Sequence, residues 1–497
     1  MAISAPGGGP DVVVVGAGTA GCALAARLAD AGQRVLLLEA GPVPRGPDEW
    51  PAEVRDPASL AATASGHPLN WDLPGQVVPG RAVRVPRGRI AGGSSALNAA
   101  VWLRATPADL DGWAAAGTPL WSHAAVLPAF RRSEADADFG SAPGHGADGP
   151  VPVRRLPAGP AAAAFAAAAA ELGFAVVADK NDGAGTGYGP IPFNVDGGVR
   201  VNAAMAYLEP RRTHPYLAVR GGVDVRRVLV ERGRAVGVLT DRGPVRAGQV
   251  VLSAGAVGSA HLLLVSGLGP AADLAALGID VLADLPVGAA SSDHPLVYLP
   301  YRTAPGLTEP ALPLHGVLHA PVPGGEVEVL PWLRRFGADP EPLLGIGLQH
   351  PVARGRLTLD PRDPAGPPLL DYRYLAEEAD RGGLREGVRT AAALLRTAAV
   401  AGTLGPSAAV PDAVLDDDAA LDAWIAAGVG TAVHLSGTAP MGPDDEAGAV
   451  VDEHLRVRGV AGLRVVDTSV LPSVPSRGTA ATAVMIGERA AELLTSG

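Results

Sequence analysis

A chain of 497 residues has room for two to four domains, or for one large enzyme built from a cofactor domain and an inserted second domain. Hydrophobic residues make up 47%, and the 65 glycines and 47 prolines punctuate apolar runs, which describes a loop-rich folded protein and excludes a disordered one. The net charge of -11 with no basic run argues against a nucleic-acid partner, and a single cysteine, Cys22, excludes an intramolecular disulfide and a cysteine-rich metal cluster.

The opening MAISAPGGGPD has no basic segment followed by an apolar one, and no apolar run reaches the roughly 18–20 residues of a membrane span. The expectation is a cytoplasmic protein without an integral membrane segment. Residues 11–41, DVVVVGAGTAGCALAARLADAGQRVLLLEAG, come next. Val12 to Val15 suit a buried parallel strand. Gly16, Gly18 and Gly21 follow in G-x-G-x-x-G spacing. The first permits a tight turn, the second lets the backbone approach a pyrophosphate, and the third lets the helix pack closely on the strand. The helix is predicted from Thr19 to Ala31, stopped by Gly32, with its free N–H groups offered to the phosphates. A second strand ends at Glu39, whose carboxylate would accept from adenosine ribose hydroxyls and disfavour the 2′-phosphate of NADP. Thr19, Ala20 and Ala40 flank these residues in the expected dinucleotide site. Strand, glycines, helix, strand and acid in register point to a dinucleotide; FAD and NAD remain open at this stage.

Further along, four passages are informative: PRGRIAGGSSALNAAVWLR (86–104), GAVGSAHLLLVSGLGP (255–270) after the strand QVVLSAG, HLSGTAPMG (434–442), and GVAGLRVVDTSVLPSVPSRGTAATAVMIGERAAELL (459–494). In these the chain resembles the glucose–methanol–choline (GMC) family of flavin oxidoreductases. Fainter likenesses lie in LNWDLPGQ with Trp71, in 110–134, in LPVGAASSDHP (285–295) and in ARGRLTLDPRDP (353–364), so the resemblance covers nearly the whole chain. It implies FAD as the cofactor. Gly92, Gly93, Ser94 and Ser95 would offer N–H groups and hydroxyls to an anionic cofactor, and Asn98, with Ala99 and Val101, would lie where the family holds the flavin ring. Val225 would touch the adenine through its backbone. Asp467 and Thr468 would lie beside the ribityl–pyrophosphate part, and Ala254, Thr479 and Ala480 would complete the site. Some members carry a covalently linked histidine just before the asparagine; Leu97 stands there, which implies non-covalent FAD.

The fold expected is α/β: a Rossmann-like FAD-binding domain (1–155, 200–297 and 427–497) with an inserted α+β substrate-binding domain on an antiparallel sheet (156–199 and 298–426). Residues 217–239 read as paired strands, VEVLPWL and LLGIGLQH as strands, and AAAAFAAAAAELGF (161–174), EEADRGGLREGVRTAAALLRTA and AVMIGERAAELL as helices. In HGVLH, His315 and His319 share a face of a short strand between Pro313 and Pro321; with no third ligand evident they suggest no metal, but a structural role or a lining of the substrate pocket.

HLSGTAPMG fits the family's active-site segment, which makes His434 the implied catalytic base. A neutral imidazole would take the proton of an alcohol hydroxyl while the carbon's hydride passes to flavin N5. The family's second His or Asn is absent: its slot falls at Gly478 or Ala480, and no His or Asn occurs from Leu455 to Gly497. Thr479, Ser476, Thr482 and His350 are candidates to supply the missing donor, whose loss elsewhere costs ~10²–10³ in rate. The expected function is oxidation of a small alcohol to a carbonyl, with oxygen, a quinone or another redox carrier as acceptor. The alternatives are a non-redox flavoprotein such as a hydroxynitrile lyase, and a non-catalytic FAD binder.

Overall fold

A computed structural model describes residues 9–183, 185–304, 311–334, 341–405 and 410–495. Its first layer is a five-stranded sheet in the order Leu217–Arg220, Val35–Leu38, Val12–Val15, Gln249–Leu252 and Leu463–Val465, parallel throughout. Val12 to Val15 are all buried, as a central strand covered on both faces requires. Residues 217–239, expected as paired strands, divide. Leu217–Arg220 joins the edge of the parallel sheet beside Val35–Leu38, while Val225–Glu231 and Arg234–Thr240 pair in a separate antiparallel sheet with Gly243–Arg246. Local apolar pattern identifies strands and leaves their partners open, which long-range pairing decides.

The Thr19–Asp30 helix packs under this sheet against the last helix, Ala480–Thr495. Their approach depends on Gly487, where an added Cβ would lie 2.4 Å from the Ala20 carbonyl oxygen. One residue on, Glu488 is buried, accepting from Arg27 Nε at 2.9 Å, Arg132 Nε at 2.9 Å and Tyr207 Oη at 2.7 Å. Gly487→Val is therefore expected to lower stability by about 1–3 kcal/mol through overpacking, read as a lower denaturation midpoint.

The second layer is a six-stranded antiparallel sheet in the order Gly430–Thr431, Pro295–Pro300, Leu343–Leu348, Gly325–Pro331, Gly316–Val322 and Gly187–Pro190. It takes strands from either side of residues 297 and 427. One face, with Leu318, Ala320, Val327, Val329, Ile346 and Leu348, is buried against the Glu378–Arg396 helix, and Gly383 and Gly387 let that helix approach. The other face carries the cross-strand pair His319 and Glu328 beside Val317, Leu330 and Tyr298. Val317, Leu330 and Tyr298 join an apolar cluster with Ala99, Ala100 and Val101, so this face looks toward the first layer.

Candidate active site

Four of the five parallel strands end in a sequence-predicted site residue. Val12–Val15 leads into Gly16, Val35–Leu38 into Glu39, Gln249–Leu252 into Ala254, and Leu463–Val465 into Asp467. Because the strands run parallel and their last residues pair, positions over 450 residues apart meet at one sheet edge, where doubly wound folds hold ligands.

The turn there is tight. Gly16 has φ +100°, and a Cβ on it would lie 2.4 Å from the Ser253 carbonyl oxygen; a Cβ on Gly21 would lie 2.1 Å from the Gly16 oxygen. Gly18 opens the Thr19–Asp30 helix with no side-chain cap and no acid in the first turn. The uncapped N–H groups of that first turn suit an anion. Glu39 is buried and accepts the Ala17 N–H at 2.9 Å and the Gly41 N–H at 2.7 Å, one bond to each carboxylate oxygen, leaving lone pairs for ribose hydroxyls. The Glu39 carbonyl accepts the Val223 N–H, which brings the start of the Val225–Glu231 strand to this side.

The 92–93 turn is laid on that loop. The Gly92 N–H donates to the Ala17 carbonyl at 2.7 Å, and a Cβ on Gly93 would lie 2.8 Å from the Gly18 Cα. Ser95 is spent on structure, donating to the Gly92 carbonyl and accepting the Ala203 N–H. Asn98 Oδ1 accepts the Ala100 N–H, holding Ala100 at φ +56°, and Asn98, Ala99 and Val101 stay half-buried. Trp71 is exposed with Arg89 over its ring. Asn202 Nδ2, next to Gly92, is buried without a partner among the described residues, a donor the sequence did not single out. Asp467 is saturated by Ser259 Oγ, the Gly255 N–H and Ser469, and so locks its loop instead of offering a free carboxylate. An uncapped helix start, a glycine cradle and an orphaned amide fit a dinucleotide.

His434 sits on a loop laid beside residues 468–470, where the N–H groups of Gly437, Ala439 and Met441 donate to the carbonyls of Thr468, Ser469 and Val470. Its own N–H donates to Asp293 Oδ1 at 2.8 Å. Its Nδ1 lies 3.0 Å from His294 Nδ1, the two rings edge to face at 5.2 Å. Burial, then the Arg87 guanidinium, push the His434 pKa down to about 4. His294 is held well below its ordinary value by burial and then by His434. Burial pushes Asp293 up to about 6, against Arg87, Thr431 and the N–H groups of His434 and His294. Val433 holds φ +59°, unusual for a β-branched residue, with its carbonyl taken by Arg87 Nη1 at 2.9 Å and its N–H by Thr431 Oγ1 at 2.9 Å. Sequence reasoning missed Asp293 and His294, although the adjacent acid and histidine in SSDHP were the available signal.

With Nδ1 engaged, His434 Nε2 is the free face. A Cβ built on Gly478 would lie 3.6 Å from that atom, so Gly478 stands opposite it; Ala480 opens the last helix. Of the proposed substitutes, Ser476 Oγ donates to Asp109 at 2.7 Å and so is committed elsewhere, and Thr482 Oγ1 is fully buried, accepting the Ala105 N–H. His350 lies 3.8 Å from Asp109, and Thr479 stays half-buried beside Gly478. His315 Nε2 bonds the Leu156 carbonyl at 2.8 Å, whereas His319 is fully buried and bonds Glu328 at 3.1 Å. Arg477, also buried, pairs with Glu326 and donates to the Ser476 and Gly185 carbonyls, fastening the segment before Gly478 to the antiparallel sheet.

Two GMC oxidoreductase family models match residues 10–296 and 351–487. An uncharacterised GMC-type oxidoreductase of Rhodococcus erythropolis is 39% identical over 97% of this chain and 98% of its own length. An oxygen-dependent choline dehydrogenase of Vibrio vulnificus is 32% identical over 97% and 94%. Among solved structures, pyridoxine 4-oxidase from Mesorbium loti superposes with TM-score 0.86 at 31% identity, covering 97% of this chain and 98% of that one. No helix among the described residues is long and apolar enough to cross a membrane. A mixed α/β chain with a parallel dinucleotide sheet, an antiparallel second sheet and a histidine loop between them, matched by both family models, belongs to the GMC oxidoreductase family, whose members are FAD-dependent.

Proposed function

We propose that this chain oxidises the CH–OH group of a small alcohol to a carbonyl, with His434 as base, non-covalent FAD on the parallel sheet and the antiparallel sheet forming the substrate side. The observation that carries the reading is the geometry at His434: Nδ1 is engaged by His294, and Nε2 has no hydrogen-bond partner among the described residues, while burial and Arg87 lower its pKa to about 4. For Nε2 to accept a proton, Nδ1 must bear the other one and donate it to His294, and the depressed pKa of His294 keeps that acceptor neutral. Asp293 holds the backbone of both histidines. Bound FAD would supply the hydride acceptor; the chain's residues would orient the alcohol and take its hydroxyl proton at Nε2. Gly16, Gly18, Thr19, Ala20, Gly21, Glu39, Gly92, Gly93 and Asn98 would hold the cofactor. Leu97 is buried in the core and has no nucleophilic atom, which supports a non-covalent flavin.

Glu39→Ala removes a buried acceptor that also ties two backbone N–H groups. Flavin affinity is expected to fall by about 10- to 100-fold, read from the flavin-to-protein ratio after dilution. The reading as a whole is tested by mixing protein and alcohols without oxygen. Loss of the yellow flavin absorbance supports it. Conversion of a hydroxynitrile with the flavin remaining yellow would support the lyase alternative, which the absence of a side-chain donor at Gly478 favours. An oxygen, quinone or carrier acceptor is then separated by which one restores the colour.

A further inference from the structure

Most glycines around this site are forced by the backbone. Gly16, Gly21, Gly41 and Gly88 would each put a Cβ within 2.4 Å of a backbone oxygen, and Gly92 and Gly93 have left-handed φ. Gly478 differs. Its φ lies outside the left-handed region, and its Cβ would make only ordinary van der Waals contact, 3.6 Å from His434 Nε2 and 3.7 Å from Cε1, with no other atom of the described residues beyond its two chain neighbours within 4 Å. Folding does not require a glycine here.

The segment cannot close over the gap. Before Gly478, Arg477 is pinned to Glu326 and the Gly185 carbonyl, and the Ser476 N–H and Oγ are pinned to Asp109. After it, the Ala483 N–H donates to the Thr479 carbonyl at the start of the last helix. The side-chain space at 478 therefore stays open beside the nitrogen that would receive the hydroxyl proton.

Resting on the alcohol-oxidation reading, we propose that Gly478 is a specificity-determining residue and that the substrate is a secondary alcohol whose second carbon substituent fills this space. A hydroxyl hydrogen-bonded to Nε2 puts its carbinol carbon one bond away, so a group on that carbon reaches the room a side chain at 478 would occupy. The electron pair of the carbinol C–H bond would leave as hydride, for which bound FAD would be the acceptor, the O–H proton would go to His434 Nε2, and the C=O bond of a ketone would form. Oxygen or another redox carrier takes the two electrons afterwards. A substituent in a matched pocket is worth about 10- to 200-fold in discrimination per methylene-sized group.

The test compares matched pairs, butan-1-ol with butan-2-ol and benzyl alcohol with 1-phenylethanol, in anaerobic flavin reduction by the wild-type holoenzyme, G478A and G478N. The expected result is a wild-type preference for the secondary member. G478A should lower the ratio of kcat/KM for the secondary over the primary member of each pair by about tenfold, and G478N by more. Flavin content and its absorbance spectrum establish that each variant is folded, and G478A adds one carbon, so it serves if G478N does not fold. A primary preference of equal ratio in all three proteins would overturn the proposal and leave alcohol oxidation standing. Failure of every alcohol to bleach the wild-type flavin would overturn both.

Discussion

His434→Ala is expected to lower kcat and kcat/KM together by about 10²- to 10⁴-fold while the protein still binds flavin. Both parameters should fall because the lost interaction, proton acceptance by Nε2, develops only as the O–H bond breaks. The pH profile follows from the same site. With its pKa near 4, His434 is protonated, and so useless as a base, only in acid. Activity should begin to fall as pH drops through about 6, where Asp293 is half protonated, should be about halved again near pH 4, where half of His434 is protonated, and should be lost below that. His294 bonds His434, so on the proposed reading it would act as a positioning residue. His294→Ala admits water beside a half-buried imidazole, and the acid limb set by His434 should move up toward its ordinary 6.5. A purely structural histidine would lower stability and leave that limb where it is. Stopped-flow flavin reduction across pH 4–8 separates the two.

Glu134→Ala is expected to cost about 3–5 kcal/mol of stability, read as a shift in the denaturant midpoint, because it strips the partner from buried charges. Glu134 is fully buried and pairs with Arg104, with His145 Nδ1 at 3.0 Å and with Trp102 Nε1 at 3.1 Å. His145 Nε2 lies 2.7 Å from Asp179, and Arg155 bridges Asp136 and Asp179. Three carboxylates thus face two guanidiniums and one imidazole, a set that is neutral only with His145 charged. Glu134, Asp136 and His145 have metal-ligand spacing, but their charge is already matched by Arg104, Arg155 and the imidazolium. Burial alone would lower the His145 pKa; hydrogen bonds to Asp136, Asp179 and Glu134 outweigh it and raise it to about 10. Since the folded pKa lies above the ordinary 6.5, this stabilisation is fully present below pH 6.5 and is lost as pH rises through 10. The wild-type midpoint should therefore decline across that window, and His145→Gln should flatten the decline.

How far the sequence could be read depended on distance along the chain. Residues 11–41 build a strand, a tight turn, a helix and a strand from contacts local enough to leave a spacing, and Gly16, Gly21 and the Thr19–Asp30 helix match that spacing in three dimensions. HLSGTAPMG likewise marked its histidine. By themselves, then, the amino acids determined the dinucleotide unit, the family and the candidate base, because each is a short run whose chemistry dictates its residue types. The tertiary structure alone decided the rest. It joined Leu217–Arg220 to the parallel sheet, put His294 against His434 from 140 residues away, set Gly478 opposite His434, and committed Ser476 to Asp109. Such contacts follow from where strands end and which backbone groups they leave unpaired, and packing at long range imprints no period on a sequence.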